Sequence, residues 1–111
     1  GGIGDIAYPL VADLKKEICA AYNVLNEDGE ADRGLFIINP QGMVMHMTVN
    51  KAPVGRNVDE LMRKFKAALY VSKKDEGIPP TWNEEGDLTL KPSAKMVGKV
   101  HEALANDGNP A

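Results

Sequence analysis

The chain of 111 residues carries few side chains that could act in catalysis, and one of them is a thiol. Cys19 is its single cysteine, and it stands beside Ile18 in a segment whose apolar residues recur with helical spacing. A free cysteine in such a setting is usually a small core residue, so the pattern favours a structural role. A single cysteine forms no disulfide within the chain, which favours a reducing compartment and hence a cytoplasmic location.

Two arginines stand where a strand and a helix are predicted to begin. Arg33 could form a salt bridge with Glu30 or Asp32 at the start of the strand. Arg56 directly precedes the predicted helix cap, where a positive charge opposes the helix dipole. A carboxylate or a functional site must therefore hold Arg56, and the residues alone leave both alternatives open.

Metal chemistry finds little support in the sequence. His46 lies on the less apolar face of a predicted strand, which favours a solvent or interface role, and no second histidine stands close to it. The acidic run at residues 27–32 (EDGEAD) lacks the alternating ligands and the final glutamate of a calcium loop. We therefore predict neither a metal nor a cofactor.

The composition is that of an ordinary globular protein, with 43% hydrophobic and 26% charged residues. It excludes collagen, a disordered tail and a coiled-coil rod. The net charge of −3 argues against a nucleic-acid partner. No apolar run approaches the roughly 18 residues that span a bilayer, so no membrane partner is expected.

The hydrophobic pattern predicts the elements that must position these residues. Residues 6–12 predict a short strand, and residues 14–25 predict a helix that Asp13 can cap. Residues 34–38 (GLFII) and 43–49 predict a β-hairpin, joined by a turn at residues 39–42 (NPQG).

The second half of the chain predicts a long helix and an irregular arm. Asn57 and Glu60 have the spacing of a capping box, and the helix that they open carries an apolar stripe. The stripe comprises Val58, Leu61, Met62, Phe65 and Leu69, and we expect the hairpin face with Met43, Met45 and Met47 to pack on it. Residues 77–87 predict an arm anchored by Trp82. Ser93 could cap a last helix with Met96, Val97, Val100 and Leu104 facing inward.

This order of elements indicates an α/β fold with a mixed sheet flanked by helices. Three strands make a thin sheet, and GLFII needs neighbours on both sides. The chain also begins GGIGD without an initiator methionine. Both observations lead us to expect a piece of a longer protein.

Several motifs together resemble the second half of a typical two-cysteine peroxiredoxin. They are GGIG (1–4), YPLVAD (8–13), RGLFIINPQG (33–42), TVNKAPVGR (48–56) and PPTW (79–82), while residues 83–100 look most like the bacterial alkyl hydroperoxide reductase branch of the AhpC/TSA family. The resemblance implies the C-terminal half of a thioredoxin-like fold. Residues 1–74 would be the second half of that domain and residues 75–111 its C-terminal arm.

The resemblance also implies an activity and two site residues. Family members reduce hydrogen peroxide and organic hydroperoxides through a peroxidatic cysteine in a Pro-x-x-x-Thr-x-x-Cys segment, which would lie upstream of this chain. The parent would then be a thiol peroxidase, and the chain alone would be inactive. Arg33 matches the catalytic arginine, whose charge lowers the pKa of the thiol and whose N–H groups reach the peroxide. Arg56 matches a supporting arginine.

The sequence departs from the family at the resolving cysteine. The family pattern is Val-Cys-Pro, and this chain has Gly77-Ile78-Pro79, so Ile78 supplies no thiol. The Tyr-Phe motif of oxidation-sensitive members is absent as well. The resemblance implies that a thioredoxin-type or flavoprotein disulfide reductant serves the parent.

The resemblance further implies a homodimer that can close into a ring-forming decamer. Its contacts would be the C-terminal arm and the strand edge of Met43, Met45, Met47 and Val49. Two alternatives remain open: a non-catalytic oligomerisation or interaction module, and an inactive truncated paralogue. A Thr-x-x-Cys segment upstream in the gene would distinguish the enzyme from both.

Overall fold

The computed structural model describes residues 2–105, so the end of the predicted arm at residues 106–111 lies outside the described residues. The elements in chain order are α1 (Glu17–Ala21), β1 (Arg33–Ile38), β2 (Val44–Asn50), α2 (Val58–Lys73), a 3-10 turn (Ala94–Met96) and α3 (Val100–Ala105). None of the helices in this part of the chain has the length and apolar character needed to cross a membrane.

The predicted β-hairpin is confirmed, and its turn forms from the residues that predicted it. The side-chain oxygen of Asn39 accepts hydrogen bonds from the N–H groups of Gln41 at 3.0 Å and Met43 at 2.9 Å. Gly42 adopts a φ of 82°, which a glycine tolerates without strain. β1 and β2 then pair antiparallel, with a register shift between Ile37 and Ile38.

The predicted strand at residues 6–12 is wrong, because these residues form no strand in the structure. Most of their side chains are exposed, and Pro9 supplies no backbone donor. Of the helix predicted at residues 14–25, only α1 forms. Lys16 and Asn23 adopt φ values of 60° and 57°, which lie outside the right-handed helical region. Asp13 nevertheless caps α1, as its carboxylate accepts hydrogen bonds from the N–H groups of two residues of that helix.

The long helix is confirmed, together with its cap. The Asn57 side chain accepts a hydrogen bond from the N–H of Glu60 at 3.1 Å, and the helix ends at Lys73. Its apolar stripe, however, is open to solvent, with Val58 66% and Phe65 44% exposed. The helix α2 therefore forms as predicted, but the apolar face that the sequence predicts to be buried is exposed.

The expected packing of the methionine face on the apolar stripe of α2 is also wrong. Met47 is 64% exposed, whereas His46 and Thr48 are half-buried and lie 2.7 Å apart between Nε2 and Oγ1. The reason is the side of the hairpin on which α2 lies. Leu35 and Ile37 face α2 across a shared groove, and paired residues of antiparallel strands project to the same side. Their partners are Thr48 and His46, so the polar face of β2 turns toward the helix.

The arm folds back onto α2, and Trp82 anchors it as predicted. The Trp82 side chain is only 2% exposed, and its ring centre lies 5.5 Å from that of Tyr70 in α2. The predicted last helix is divided, because Gly98 adopts a φ of 75° between the 3-10 turn and α3. Ser93 makes no capping bond, and only Met96 of the four expected inward residues is buried, Val97 being 81% exposed.

Candidate active site

The two predicted site arginines lie at the base of the hairpin and hold it to the loop before α2. Arg33 is the first residue of β1, and its Nε donates a hydrogen bond to the Ala52 carbonyl at 2.7 Å. Arg56 donates from Nη2 to the Gly34 carbonyl at 3.4 Å. Each arginine therefore joins the start of β1 to the β2–α2 loop.

The same loop is closed by bonds of its own. The Val54 N–H donates to the Lys51 carbonyl at 2.9 Å. The Asn50 side chain donates to the Gly55 carbonyl at 3.4 Å. These bonds fix the backbone carbonyl that holds Arg33 and position Arg56 ahead of the helix cap.

Among the residues that the structure describes, no carboxylate neutralises either arginine. Within residues 2–105, neither Arg33 nor Arg56 forms a salt bridge, so the predicted alternative of a pair between Arg33 and Glu30 or Asp32 is not found. Both side chains are exposed, and the backbone bonds engage only one nitrogen of each guanidinium. The site therefore presents positive charge and free N–H donors on a positioned backbone.

Such a pair of guanidinium groups can do two things chemically. It favours the thiolate form of a nearby cysteine, because an adjacent positive charge lowers the pKa of a thiol. It also stabilises oxygen atoms on which negative charge develops during a reaction.

The Cys19 thiol lies on α1, in surroundings that do not favour its ionisation. Its thiol is half-buried beside Asp13, and the hydrogen bond to that carboxylate raises the pKa of Cys19, with burial adding to the effect. Cys19 also lines an apolar hollow of about 300 Å³ with Tyr22, Phe36 and others. A raised pKa leaves little thiolate near neutral pH, which supports the predicted structural role.

Ile78 lines a cavity between β2, α2 and the arm. It lines a space of about 470 Å³ with β2 residues Met45 and His46 and with Arg63 and Lys64 of α2. The backbone of the preceding Gly77 exchanges hydrogen bonds in both directions with Leu90. The arm thus holds residue 78 in a defined place, with an isoleucine side chain where the family pattern has a thiol.

Sequence reasoning missed one hydrogen-bonded centre, at Glu76. Its carboxylate accepts hydrogen bonds from the hydroxyl groups of Thr89 and of Tyr70, the latter at 2.9 Å. These bonds hold the pKa of Glu76 below its usual range, and the pKa of Tyr70 is raised chiefly by its bond to Glu76. The three residues are widely spaced in sequence, so no pattern could have predicted the contact that secures the arm to α2.

No group of three or more candidate metal-ligating side chains occurs in the described part of the chain.

The AhpC/TSA family matches residues 3–47 of this chain. A 2-cysteine peroxiredoxin, chloroplastic, from Chattonella marina var. antiqua is 52% identical over 105 residues, which are 94% of this chain and 53% of that protein. The chain belongs to the AhpC/TSA family of peroxiredoxins. A mitochondrial thioredoxin-dependent peroxide reductase from Drosophila melanogaster is 42% identical over 101 residues, covering 89% of the chain and 43% of that protein.

The fold agrees with this membership. The reduced 2-Cys peroxiredoxin of Plasmodium vivax superposes with a TM-score of 0.71 at 33% identity, over 79% of this chain and 47% of that one. The chain thus has part of a thioredoxin-like fold, as predicted. It spans about half the length of the curated peroxiredoxins that it matches.

Proposed function

We propose that this chain supplies the arginine part of the active site of a thiol peroxidase. The observation that carries the proposal is the pair Arg33 and Arg56, which are anchored on backbone carbonyls and have no neutralising carboxylate within residues 2–105. The nucleophile would be the peroxidatic cysteine of the family, in a segment outside residues 1–111.

The reaction assigns distinct roles to the two arginines. The cysteine thiolate attacks one oxygen of a hydroperoxide, the O–O bond breaks, and water or an alcohol leaves once its oxygen takes up a proton. The cysteine is left as a sulfenic acid. Arg33 would keep the thiolate ionised and donate to the oxygen on which charge develops. Arg56 would support the site by holding the Gly34 carbonyl.

Turnover then requires an external reductant. Ile78 offers no thiol to the sulfenic acid, so we propose that a thioredoxin-type protein or a flavoprotein disulfide reductase restores the cysteine, directly or through a cysteine elsewhere. The Drosophila relative is named a thioredoxin-dependent peroxide reductase, which supports the first of these. We keep the cytoplasm as the proposed location, although the two relatives named above are chloroplastic and mitochondrial.

We further propose a two-fold dimer through the outer edge of β2, at residues 43–49, which can assemble into decameric rings. In the described residues β2 pairs only with β1, and a free strand edge invites pairing with another chain. Residues 1–74 would form the domain part and residues 75–111 the arm. The resemblance further implies that residues 75–92 wrap the mate, whereas in this chain Glu76 and Trp82 of that segment contact Tyr70 of the chain's own α2.

The dimer proposal predicts that Val49→Pro weakens self-association, because proline removes a backbone donor from this edge. Val49 pairs with Gly34, whose N–H donates to the Asp32 carbonyl outside the hairpin ladder, so the Val49 N–H also points away from the partner strand. Val44→Lys should also weaken self-association by placing a charge at this edge, while Val49→Thr serves as the matched control that keeps the N–H. Sedimentation of dilute protein measures the effect. A protein that stays fully dimeric with both disruptive substitutions would place the interface elsewhere.

The peroxidase proposal is tested with a chimera, in which the part of the Chattonella protein outside the match is followed by residues 1–111. We expect the chimera to reduce hydrogen peroxide with thioredoxin, and the 111-residue chain alone to show no turnover. Cys19→Ser should change neither result, because the thiol pKa of Cys19 is raised.

Two outcomes would count against the proposal. Peroxide consumption by the chain alone, abolished by Cys19→Ser, would make Cys19 the nucleophile. A chimera whose cysteine reacts with peroxide no faster than a free thiol would favour a non-catalytic interaction module. The observation that favours that second candidate is the exposure of Met47 in β2 and of Met43 directly before it.

A further inference from the structure

The part of the arm between residues 76 and 91 is paired with itself. Near its two ends, Gly77 and Leu90 exchange backbone hydrogen bonds in both directions. Trp82, the only tryptophan of the chain, lies on the loop between them. No α-helix or β-strand of the described chain includes these residues. The segment can therefore separate from α2 as one unit, without breaking a helix or the hairpin.

Hydrogen bonds and a ring contact hold this segment on α2. The Glu76 carboxylate accepts hydrogen bonds from the Tyr70 hydroxyl at 2.9 Å and from the Thr89 hydroxyl, and these three groups form what we call the Glu76 clasp. The Trp82 ring packs against the same tyrosine. Arg63 of α2 adds a hydrogen bond to a backbone carbonyl of the arm. Because Tyr70 belongs to both the clasp and the ring contact, the two are lost together.

The position of Trp82 opposes this closed arrangement. The side chain is 2% exposed, and its Nε1–H has no hydrogen-bond acceptor among the described residues. A buried donor that gives up water without gaining an acceptor costs free energy. The hydrogen bonds of the clasp must offset that cost, so the closed state depends on them.

The clasp lies among charges that keep its carboxylate ionised. The titratable and charged groups that act on it come from α2, from the residue directly after α2 and from the arm: Tyr70, Lys74, Glu85 and Lys91. The hydrogen bonds from Thr89 and Tyr70 lower the pKa of Glu76 below its ordinary value of 4.5, and the two lysines add to the effect. The bond to Glu76 raises the pKa of Tyr70 above its ordinary value of 10.0, with burial and the negative charge of Glu85 adding to it.

We infer that residues 76–91 form a flap on α2 whose closed state requires the ionised Glu76 carboxylate, so that protonation of this one side chain opens the flap and exposes Trp82. Because the pKa of Glu76 is lowered, its contribution to closure is complete above pH 4.5 and is lost as the pH falls through the lowered value. Because the pKa of Tyr70 is raised, its contribution is complete below pH 10.0 and is lost as the pH rises through the raised value. The flap is independent of the proposed peroxidase activity.

The test uses the full 111-residue chain, in which fluorescence of the single tryptophan reports the flap. Acidification below pH 4.5 should shift the Trp82 emission to longer wavelength and increase its quenching by acrylamide, while the circular dichroism of α2 persists. Glu76→Gln should open the flap at neutral pH. Amide hydrogen exchange in residues 76–91 should then be faster by about tenfold or more, as expected when hydrogen bonds to a charged group are lost.

Tyr70→Phe is a second variant, which keeps a ring against Trp82 but removes the hydroxyl from the clasp. It should speed exchange less than Glu76→Gln does, and it should abolish the alkaline opening. Glu84→Gln is the matched control, because it neutralises a glutamate of the same segment outside the clasp, and its flap should stay closed at neutral pH.

Three outcomes would overturn the inference. In the first, Trp82 is equally shielded at neutral pH in Glu76→Gln and in the unmodified chain. In the second, Glu76→Gln is closed at neutral pH and opens on acidification at the same pH as the unmodified chain. In the third, α2 loses its circular dichroism in step with the exposure of Trp82, which would show that the segment does not open separately.

Discussion

Arg33→Ala should slow the oxidation of the peroxidatic cysteine in the chimera by about 10²–10³-fold, the loss typical when one donor to a developing oxyanion is removed. The physical reason is twofold, since the substitution removes both the positive charge that favours the thiolate and the donors to the peroxide oxygen. Stopped-flow measurement of thiol oxidation by hydrogen peroxide reports this rate directly. Arg33→Lys should recover part of it, because lysine restores the charge but not the planar set of donors.

Two further arginines serve as comparisons for that substitution. Arg56→Ala should have a smaller effect, because this side chain acts through the Gly34 carbonyl. Arg63→Ala removes an arginine that donates to the Pro80 carbonyl on the arm, so it should leave thiol oxidation nearly unchanged. Equal and near-normal rates for Arg33→Ala and Arg56→Ala would show that neither holds the proposed role.

Peroxide treatment of the chimera should produce no disulfide through residues 75–85, whereas Ile78→Cys should convert most of the protein to a disulfide-linked dimer. The sulfenic acid condenses with the introduced thiol, and water leaves as the S–S bond forms. Cysteine is smaller than isoleucine, and residue 78 already lines a cavity of about 470 Å³, so the substitution needs no rearrangement. Non-reducing electrophoresis followed by peptide mapping distinguishes the two proteins.

Ile78→Ala provides the matched control, because it shortens the same side chain without adding a thiol. It should remain free of the linked dimer. If Ile78→Cys also fails to form the dimer after peroxide, then the arm does not bring residue 78 to a peroxidatic cysteine. That result would show that residue 78 does not stand at the resolving position.

The turn and the helix cap whose hydrogen bonds join residues close in the sequence were predictable from the sequence. The Asn39 side chain closes the hairpin turn onto Gln41 and Met43, and the Asn57 side chain accepts from the N–H of Glu60. In both cases donor and acceptor stand within four positions of each other, so the local sequence specifies the contact. Family motifs likewise identified Arg33 and Arg56 as candidate site residues before their surroundings were known.

Contacts between distant segments were decided only by the tertiary structure. The predicted strand at residues 6–12 did not form, because a strand depends on a neighbour that its own residues do not supply. The hydrophobic pattern predicted that the methionine face of β2 would be buried. In the structure α2 lies on the side of Leu35 and Ile37, so His46, which pairs with Ile37, faces the helix instead.

The surroundings of the site followed the same rule. The sequence predicted a carboxylate partner for Arg33, whereas in the structure Arg33 donates to the Ala52 carbonyl. Glu76 accepts hydrogen bonds from Tyr70 and Thr89, which the sequence did not predict. Every residue carries a backbone carbonyl, so residue types do not predict which carbonyl will accept a hydrogen bond from an arginine. The sequence by itself therefore determined the hairpin, α2 and the identity of the arginines, and the long-range packing determined what holds them.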